Sequence, residues 1–276
     1  MKANRIMGVI ALALFLFLNA CNKEDNPIGE TPVAPDLPPA ASMTFDLSSF
    51  NTGGSQLAKN ATIQSKNNFN NAAARVFIIN SIVLIGITPP SVIFAQALSQ
   101  QPTLESDGKF HWVFEAPYLL LRYEADLAGW VDRENLRVKW EMRVSTRQTN
   151  PALDSFLWYE GYANIENSQG QWTFYNPQKP DTLQKVALID WTVDGPEDAR
   201  LSFSNIDEGS DGLGDVLTYT VLNNDRKIEF YDESTGFTSI IYWDAVTTAG
   251  YLQVPDYNNG QPAYWDENHD DIEAPA

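Results

Sequence analysis

The chain is poor in several residue types that carry much of protein chemistry. It contains one cysteine, Cys21, and two histidines, His111 and His269. A single cysteine excludes an internal disulfide, so a packed core must supply the stability of the fold. Two isolated histidines provide neither a zinc site nor a Ser-His-Asp triad, which both need an imidazole held by partners.

Basic residues are also scarce, with 18 lysines and arginines against 36 acidic residues and a formal charge of −18. Binding to nucleic acid requires clustered lysine and arginine against the phosphates. We therefore expect no nucleic-acid partner. The aromatic residues, by contrast, are plentiful, with 8 Trp, 11 Tyr and 14 Phe, and aromatic side chains favour strands and bury large areas.

The sequence lacks the nucleophile-elbow, zinc-protease, Walker and dinucleotide-binding motifs. Glu141 and Glu160 lie in neighbouring predicted strands and are a candidate carboxylate pair for a glycosidase. However, Glu141 shares the polar face of its strand with Arg137, Lys139 and Arg143, and cross-strand charge pairing accounts for these residues. We expect binding rather than catalysis, with an enzyme that uses an unrecognised carboxylate site as an alternative.

The N-terminal apolar run is too short to remain as a transmembrane helix. Lys2 and Arg5 precede it, and it extends over the 13 residues from Ile6 to Leu18, whereas a membrane-spanning helix needs roughly 20. This order predicts a signal peptide over residues 1–20.

The residues that follow resemble two known signals. Leu18-Asn19-Ala20-Cys21 resembles the lipobox of bacterial lipoproteins, which implies cleavage before Cys21 and lipidation of its sulfur, giving a stable two-chain membrane anchor. Asn22-Lys23-Glu24-Asp25 resembles the export tag of surface lipoproteins of the Bacteroidota. The resemblance implies an outer-membrane lipoprotein exposed on the cell surface, with the periplasmic face of that membrane as the alternative.

The remaining chain divides by composition. Residues 21–42 hold the lipidated cysteine and five prolines, which predicts an extended tether. Residues 43–265 are predicted to form one domain that is mostly β with some helix, and residues 266–276 an acidic C-terminal tail.

Two helices are predicted early in the domain, over residues 69–86 and 90–100, with proline tolerated at the start of the second. Both are apolar nearly all round, and a helix without a polar face must be enclosed by other elements. From residue 109 the apolar residues alternate with period two, which predicts strands with one buried face. The predicted strands are 109–116, 118–127, 136–145, 155–166, 171–176, 185–194, 200–205, 215–223, 226–232 and 238–246.

Ten strands in short-linked succession predict an antiparallel meander. A sheet of this size usually curls or divides into two layers. We expect a curved half-barrel or open barrel packed on the one or two apolar helices, and a two-sheet β-sandwich is the alternative.

Two groups of residues are candidates for ligand sites. Asp207, Asp211 and Asp215 lie in a glycine-containing acidic loop with oxygen ligands at spacings that suit calcium, the one cofactor that the sequence suggests. However, Gly209 stands at the third position of the loop and Thr218 at the twelfth, where a calcium loop needs a ligand and a bidentate acid. We therefore favour an acidic, glycine-rich connection between strands and expect no cofactor, with calcium as the alternative.

Trp265, Tyr264 and Trp243 are candidates for ligand binding. Of these, Trp265 lies beyond the last predicted strand and is the best candidate for an exposed or lid position.

These features together predict a non-catalytic envelope lipoprotein held to a membrane by its lipid. Its expected partner is a lipid or other apolar or amphipathic ligand, or an envelope protein. A surface module that binds glycans through exposed Trp and Tyr rings is the alternative.

Overall fold

The computed structural model describes residues 32–50, 65–86, 88–195 and 197–274, without side chains for residues 80–86. The chain divides into two compact units, Met1–Val33 and Ala34–Ala276. Cys21 and the predicted signal peptide lie outside the described residues. All the described helices and strands belong to the unit Ala34–Ala276.

This unit is built on one antiparallel sheet of 14 strands, in which each strand pairs only with its neighbours in the chain. The sheet is open: its order runs from β1 to β14 without a pairing between the two ends. The strands are β1 (Thr103–Leu104), β2 (Phe110–Tyr118), β3 (Leu121–Asp132), β4 (Arg137–Thr146), β5 (Leu153–Asn164), β6 (Gln169–Tyr175), β7 (Lys185–Val193), β8 (Asp198–Asn205), β9 (Val216–Leu222), β10 (Asp225–Asp232), β11 (Phe237–Asp244), β12 (Gly250–Gln253), β13 (Ala263–Trp265) and β14 (Asp271–Ile272).

The predicted antiparallel meander is therefore confirmed, and the ten predicted strands correspond to β2–β11. Four strands were not predicted: β1, β12, β13 and β14, each of two to four residues. So few residues give too little alternation to recognise. The described strands form one sheet and not the two of the alternative sandwich.

Among the residues that the structure describes, two α-helices precede the sheet, α1 (Asn67–Gly86) and α2 (Thr88–Ala97). Their positions agree with the prediction, but their enclosure does not: Phe77 is 74% exposed and Ile78 is 59% exposed. Other faces are buried, as Phe69 of α1 and Phe94 of α2 show. In the described part of the chain, no helix is long and apolar enough to cross a membrane.

The inner face of the sheet carries most of the buried aromatic side chains. Trp140, Trp172, Trp243 and Trp265 are each at most 1% exposed. The ring of Phe94 in α2 lies 5.8 Å from that of Trp172, and the ring of Phe69 in α1 lies 5.8 Å from that of Trp265. We call the opposite face of the sheet the outer face.

A glycine lies directly across the strand pair from several of these inner tryptophans. Gly129 pairs with Trp140 and Gly161 with Trp172, and the pairs Gly170–Trp191 and Gly250–Trp265 repeat the arrangement. A Cβ atom at any of these glycines would approach the indole to 2.4–2.6 Å. The large rings therefore fit because the facing residue has no side chain.

The chain before the helices also packs on the sheet. Ser42 is fully buried and accepts a hydrogen bond from Trp172 Nε1 at 3.3 Å, and Met43 is 1% exposed. Farther upstream, Asn167 Nδ2 donates to the Leu37 carbonyl at 2.8 Å. Residues 37–42, which the proline content assigned to the tether, thus belong to the folded unit.

The acidic segment after β13 is attached to the start of α1. Asp271 lies in β14, and its carboxylate accepts hydrogen bonds from the backbone N–H groups of Asn67 at 3.2 Å and Asn68 at 2.9 Å. His269 stacks on the Phe69 ring with centroids 3.6 Å apart. Residues 266–272 therefore cap a helix and do not form the predicted solvated tail.

Candidate ligand-binding groove

A row of polar and aromatic side chains crosses the middle of the outer face. Strand register places Trp130, Lys139, Tyr162, Gln171, Asp190 and Ser202 directly opposite one another on β3, β4, β5, β6, β7 and β8. Residues that are opposite in an antiparallel sheet share a face. The register therefore brings together side chains that are up to 72 positions apart in the sequence, as Trp130 and Ser202 show.

Two clefts open along this row. The first, which we call the glutamate cleft, has a volume of about 290 Å³ and is lined by Trp130, Arg137, Lys139, Trp140, Glu141, Glu160, Gly161, Tyr162, Gln171 and Thr173. The second, the aspartate cleft, has a volume of about 350 Å³ and is lined by Tyr162, Gln169, Gly170, Asp190, Trp191, Thr192, Arg200 and Ser202. Tyr162 lines both clefts, and the two together are called the outer-face groove.

Cations lie over two aromatic rings of the glutamate cleft, those of Trp130 and Tyr162. The Lys109 ammonium is 3.9 Å from the centre of the Trp130 ring, and the Arg137 guanidinium is 4.8 Å from the centre of the Tyr162 ring. Such contacts contribute roughly 0.5–1 kcal/mol at exposed sites. They hold the two rings in place and leave both half-buried on the outer face.

Acidic partners balance these cations. Asp132 accepts a hydrogen bond from Arg137 Nε at 3.2 Å, and the Lys139 ammonium lies 3.4 Å from the same oxygen. Hydrogen bonds from Asn135 and from Arg137 lower the pKa of Asp132 to about 2, although burial opposes this shift. The aspartate is therefore ionised at every physiological pH and fixes the two cations at one end of the cleft.

The carboxylate pair suggested by the sequence lies on the floor of the glutamate cleft. Glu141 and Glu160 are directly opposite on β4 and β5. Lys109 and Arg143 lie 3.6 Å and 3.9 Å from Glu141 Oε2, and the Tyr175 hydroxyl donates to Glu160 Oε1 at 2.6 Å. Burial, and then the contact with Glu160, raises the pKa of Tyr175 far above its ordinary value, so this hydroxyl keeps its proton.

Both carboxylates of this pair already have partners within the protein. Glu141 lies beside the cations of Lys109 and Arg143. Glu160 accepts a hydrogen bond from the Tyr175 hydroxyl. The pair is built to accept hydrogen bonds and ion pairs.

The aspartate cleft is more exposed and less charged. Gln171 Nε2 donates to Asp190 Oδ1 at 2.7 Å, which fixes the orientation of an amide and a carboxylate side by side on the sheet. Arg200 and Thr192 are exposed on the neighbouring strands. The cleft therefore offers both donors and acceptors to a ligand.

The three predicted ligand-binding aromatics lie elsewhere. Trp265 and Trp243 are on the inner face, each 1% exposed, so the exposed or lid position predicted for Trp265 is wrong. Trp265 Nε1 donates to the Thr248 carbonyl at 2.7 Å, whereas Trp243 Nε1 has no hydrogen-bond partner among the described residues. The short β13 places Trp265 inward, since Ala263 and Trp265 flank the outward Tyr264.

Tyr264 is the predicted residue that does lie on the outer face. Its ring is 5.5 Å from that of Tyr251, which is 5.3 Å from that of Tyr242. The three rings stand beside one another on β11–β13 and partly cover each other's faces. We call them the tyrosine ladder; they offer ring edges and hydroxyl groups, not a flat platform.

The structure does not bring Asp207, Asp211 and Asp215 together as calcium ligands. Among the described residues, no group of three or more His, Cys, Asp or Glu side chains is placed to hold a metal ion. Asp207 Oδ1 accepts from Gln184 Nε2 at 2.6 Å and from the Gly209 backbone at 2.9 Å. Asp215 Oδ1 accepts from the Glu233 backbone at 3.0 Å. These carboxylates hold neighbouring loops in place.

Sequence reasoning missed the residues that line the groove, apart from Glu141 and Glu160. Trp130, Tyr162, Gln171, Asp190 and Arg200 each occupy an ordinary polar-face position of a predicted strand. Only the exact pairing of six successive strands places them together. The irregular pairing of β4 with β5, with register shifts after Met142 and after Val144, prevents this register from being read by counting.

Comparison of the chain with protein-family models, with curated proteins and with solved structures gives no match.

Proposed function

We propose that this protein binds a glycan in the outer-face groove and that a lipid on Cys21 anchors it in the outer membrane. The observation that carries the proposal is the unbroken row from Trp130 to Ser202, with two aromatic rings and hydrogen-bonding side chains along one shallow groove. Lys109 and Arg137 lie over the Trp130 and Tyr162 rings, so a sugar would contact the parts of these half-buried rings that the cations leave exposed. The amide, carboxylate and guanidinium groups along the row can recognise its hydroxyls.

The polarity of the groove supports a glycan over an apolar ligand. Sites for apolar molecules are mostly apolar with few polar groups. Here the glutamate cleft is lined mainly by charged and polar side chains, and the aspartate cleft by a mixture of charged, amide and hydroxyl side chains. On the inner face, Trp140, Trp172, Trp243 and Trp265 occupy the space next to the helices.

We infer further that the sheet curls into an open half-barrel around the helices. Helix α1 contacts β12, β13 and β14, while helix α2 contacts β2 and β3. The two helices also contact each other, so both ends of the sheet lie near the same helical pair. This curvature supports the groove proposal because it makes the outer face convex, where a long chain has free access.

Glycan binding is tested by affinity electrophoresis of the purified soluble domain through gels that contain plant, host or bacterial polysaccharides. We expect retardation by at least one polysaccharide and its loss in Trp130→Ala and Tyr162→Ala. Tyr251→Ala is the matched control, since it removes an outer-face aromatic ring outside both clefts. Equal retardation of all four proteins, or none by any polysaccharide, would contradict the proposal.

Anchoring is tested with Cys21→Ser in cells that express the full chain. We expect the wild type in the outer-membrane fraction and the variant in a soluble or inner-membrane fraction. Protease treatment of intact cells then separates the surface from the periplasmic face. An unchanged distribution of the variant would exclude the lipid anchor.

A second candidate is docking of a partner protein, supported by exposed apolar side chains. Phe77 on α1 is 74% exposed, and Leu119 and Leu120 at the β2–β3 turn are 84% and 94% exposed. Gln96 of α2 contacts the Pro117 carbonyl at 3.5 Å, so this turn adjoins the helices. Loss of a cross-linked envelope partner in Leu119→Ser/Leu120→Ser, with glycan binding retained, would support this candidate.

A further inference from the structure

The charges of the glutamate cleft are satisfied within the protein. Asp132 pairs with Arg137 and Lys139, and Glu141 lies beside Lys109 and Arg143. Glu160 accepts a hydrogen bond from Tyr175. A ligand with a charge of its own would have to compete with one of these pairs. A neutral ligand with hydroxyl groups can use the remaining lone pairs and N–H groups without breaking them.

The length of the groove exceeds one sugar ring. The row from Trp130 on β3 to Ser202 on β8 crosses five strand-to-strand steps. At about 4.8 Å a step, this distance is roughly 24 Å.

Tyr162 joins the two clefts. It pairs with Lys139 in the glutamate cleft and with Gln171, whose amide is fixed by Asp190 in the aspartate cleft. A ligand that lies against this ring therefore touches both clefts at once.

From these observations we propose that the ligand is an extended, uncharged glycan chain, bound along its length across both clefts. Trp130 holds one end of the bound segment and Arg200 holds the other, with Tyr162 between them. This inference rests on the proposed function and narrows it to a class of ligand.

The test measures affinity by calorimetry for cellohexaose, xylohexaose, mannohexaose and maltohexaose, the corresponding disaccharides, and a galacturonate hexamer as an acidic probe. We expect a neutral hexasaccharide to bind at least about tenfold more tightly than its disaccharide. Its affinity should change less than about twofold between low salt and 0.5 M NaCl, because no ion pair forms with the ligand.

Variants at the two ends sharpen the test. Trp130→Ala and Arg200→Ala should each lower the affinity for the hexasaccharide by about fivefold or more, with additive effects in the double variant, since the sites are well separated. Lys227→Ala is the matched control: it removes an outer-face cation that pairs with Glu229 at 3.1 Å, outside both clefts.

Three outcomes would overturn the inference. Equal affinity for disaccharide and hexasaccharide would show a single sugar site, and exclusive, salt-dependent binding of the galacturonate would show an acidic ligand. Loss of affinity in only one end variant would restrict the ligand to one cleft. In each of these cases the protein still binds a glycan, whereas failure of every saccharide to bind would refute the proposed function itself.

Discussion

Replacement of Gly129 by alanine tests the cross-strand pairing of glycine with tryptophan in the core. A Cβ atom at this position would lie 2.4 Å from Trp140 Cζ3 and 2.8 Å from Trp140 Cε3, although ordinary van der Waals contacts begin near 3.4 Å. The Trp140 indole must therefore move by about 1 Å. It has little room to do so, because it is 1% exposed and the centroid of the Trp112 ring lies 5.6 Å from its own.

The expected cost follows from this confinement. Overpacking of a core typically destabilises a protein by about 1–3 kcal/mol. For a domain of this size, each kcal/mol lowers Tm by roughly 2–4 °C. We expect Gly129→Ala to unfold at least several degrees below the wild type in differential scanning calorimetry.

A double-mutant cycle identifies the cause. Trp140→Leu alone should be strongly destabilising because it leaves a cavity, but Gly129→Ala should cost much less in the Trp140→Leu background. Gly209→Ala is the control, since the nearest atom to its added Cβ is the flexible Asp207 carboxylate at 3.3 Å. Additive losses in the cycle, or an unchanged Tm in Gly129→Ala, would refute the reasoning.

Three further predictions concern the ends of the sheet and its two histidines. Asp271→Ala should lower the free energy of unfolding in urea by about 1 kcal/mol, as for loss of a helix N-cap, and Asp271→Asn should lower it by less. Equal stability of the wild type and both variants would contradict the capping role. Burial against Phe69, and then the Lys66 charge, lowers the pKa of His269 below 6.5, so the unfolded chain binds more protons and stability falls as the pH drops below 6.5. Between pH 7.5 and 5, His269→Gln should therefore lose less free energy of unfolding than the wild type. Parallel plots of the free energy of unfolding against pH for the two proteins would contradict this. Burial opposes protonation of His111, but its contacts with Asp126 and Asp107 outweigh burial and raise its pKa above 6.5. The stability that the protonated imidazole contributes is complete below pH 6.5 and disappears as the pH rises through the raised pKa. The free energy of unfolding of His111→Gln should therefore be lower than that of the wild type at pH 6 and approach it at high pH.

The strands of this protein could be predicted because polar and apolar residues alternate within each strand, and this alternation is visible without knowing the neighbouring strands. In β4, Arg137, Lys139, Glu141 and Arg143 alternate with buried Val138, Trp140, Met142 and Val144. Each strand therefore identifies its own buried face without knowledge of its neighbours.

Properties that depend on two distant segments could not be predicted in this way. Trp265 was assigned to an exposed position because its strand has only three residues and follows a loop rich in Asn, Gly and Pro. Its burial comes from Gly250 across the strand pair and from Phe69 of α1. The charge of residues 266–276 likewise predicts a solvated tail, and it gives no sign that Asp271 contacts the start of α1, about 200 positions earlier.

The candidate groove shows the same limit at larger scale. The sequence predicted that Glu141 and Glu160 lie in adjacent strands, which the register confirms. It gave no sign that Trp130 and Ser202 share a row, since that row depends on five separate pairings. The alternation of polar and apolar residues within one strand determines which face of the sheet a residue lies on. The registers of all the intervening strand pairs determine which residues of other strands lie beside it.

The strictly sequential strand order has a consequence for how the molecule folds and changes. Because every described strand pairs with its immediate chain neighbours, most pairings in the sheet close short loops, and we expect a lower contact order than in a Greek-key sheet of similar length. Chains with such local contacts fold faster than Greek-key sheets of similar length. Each hairpin is also a unit that can be duplicated or deleted without rerouting the rest, so the length of the outer-face groove can grow or shrink in evolution by two strands at a time.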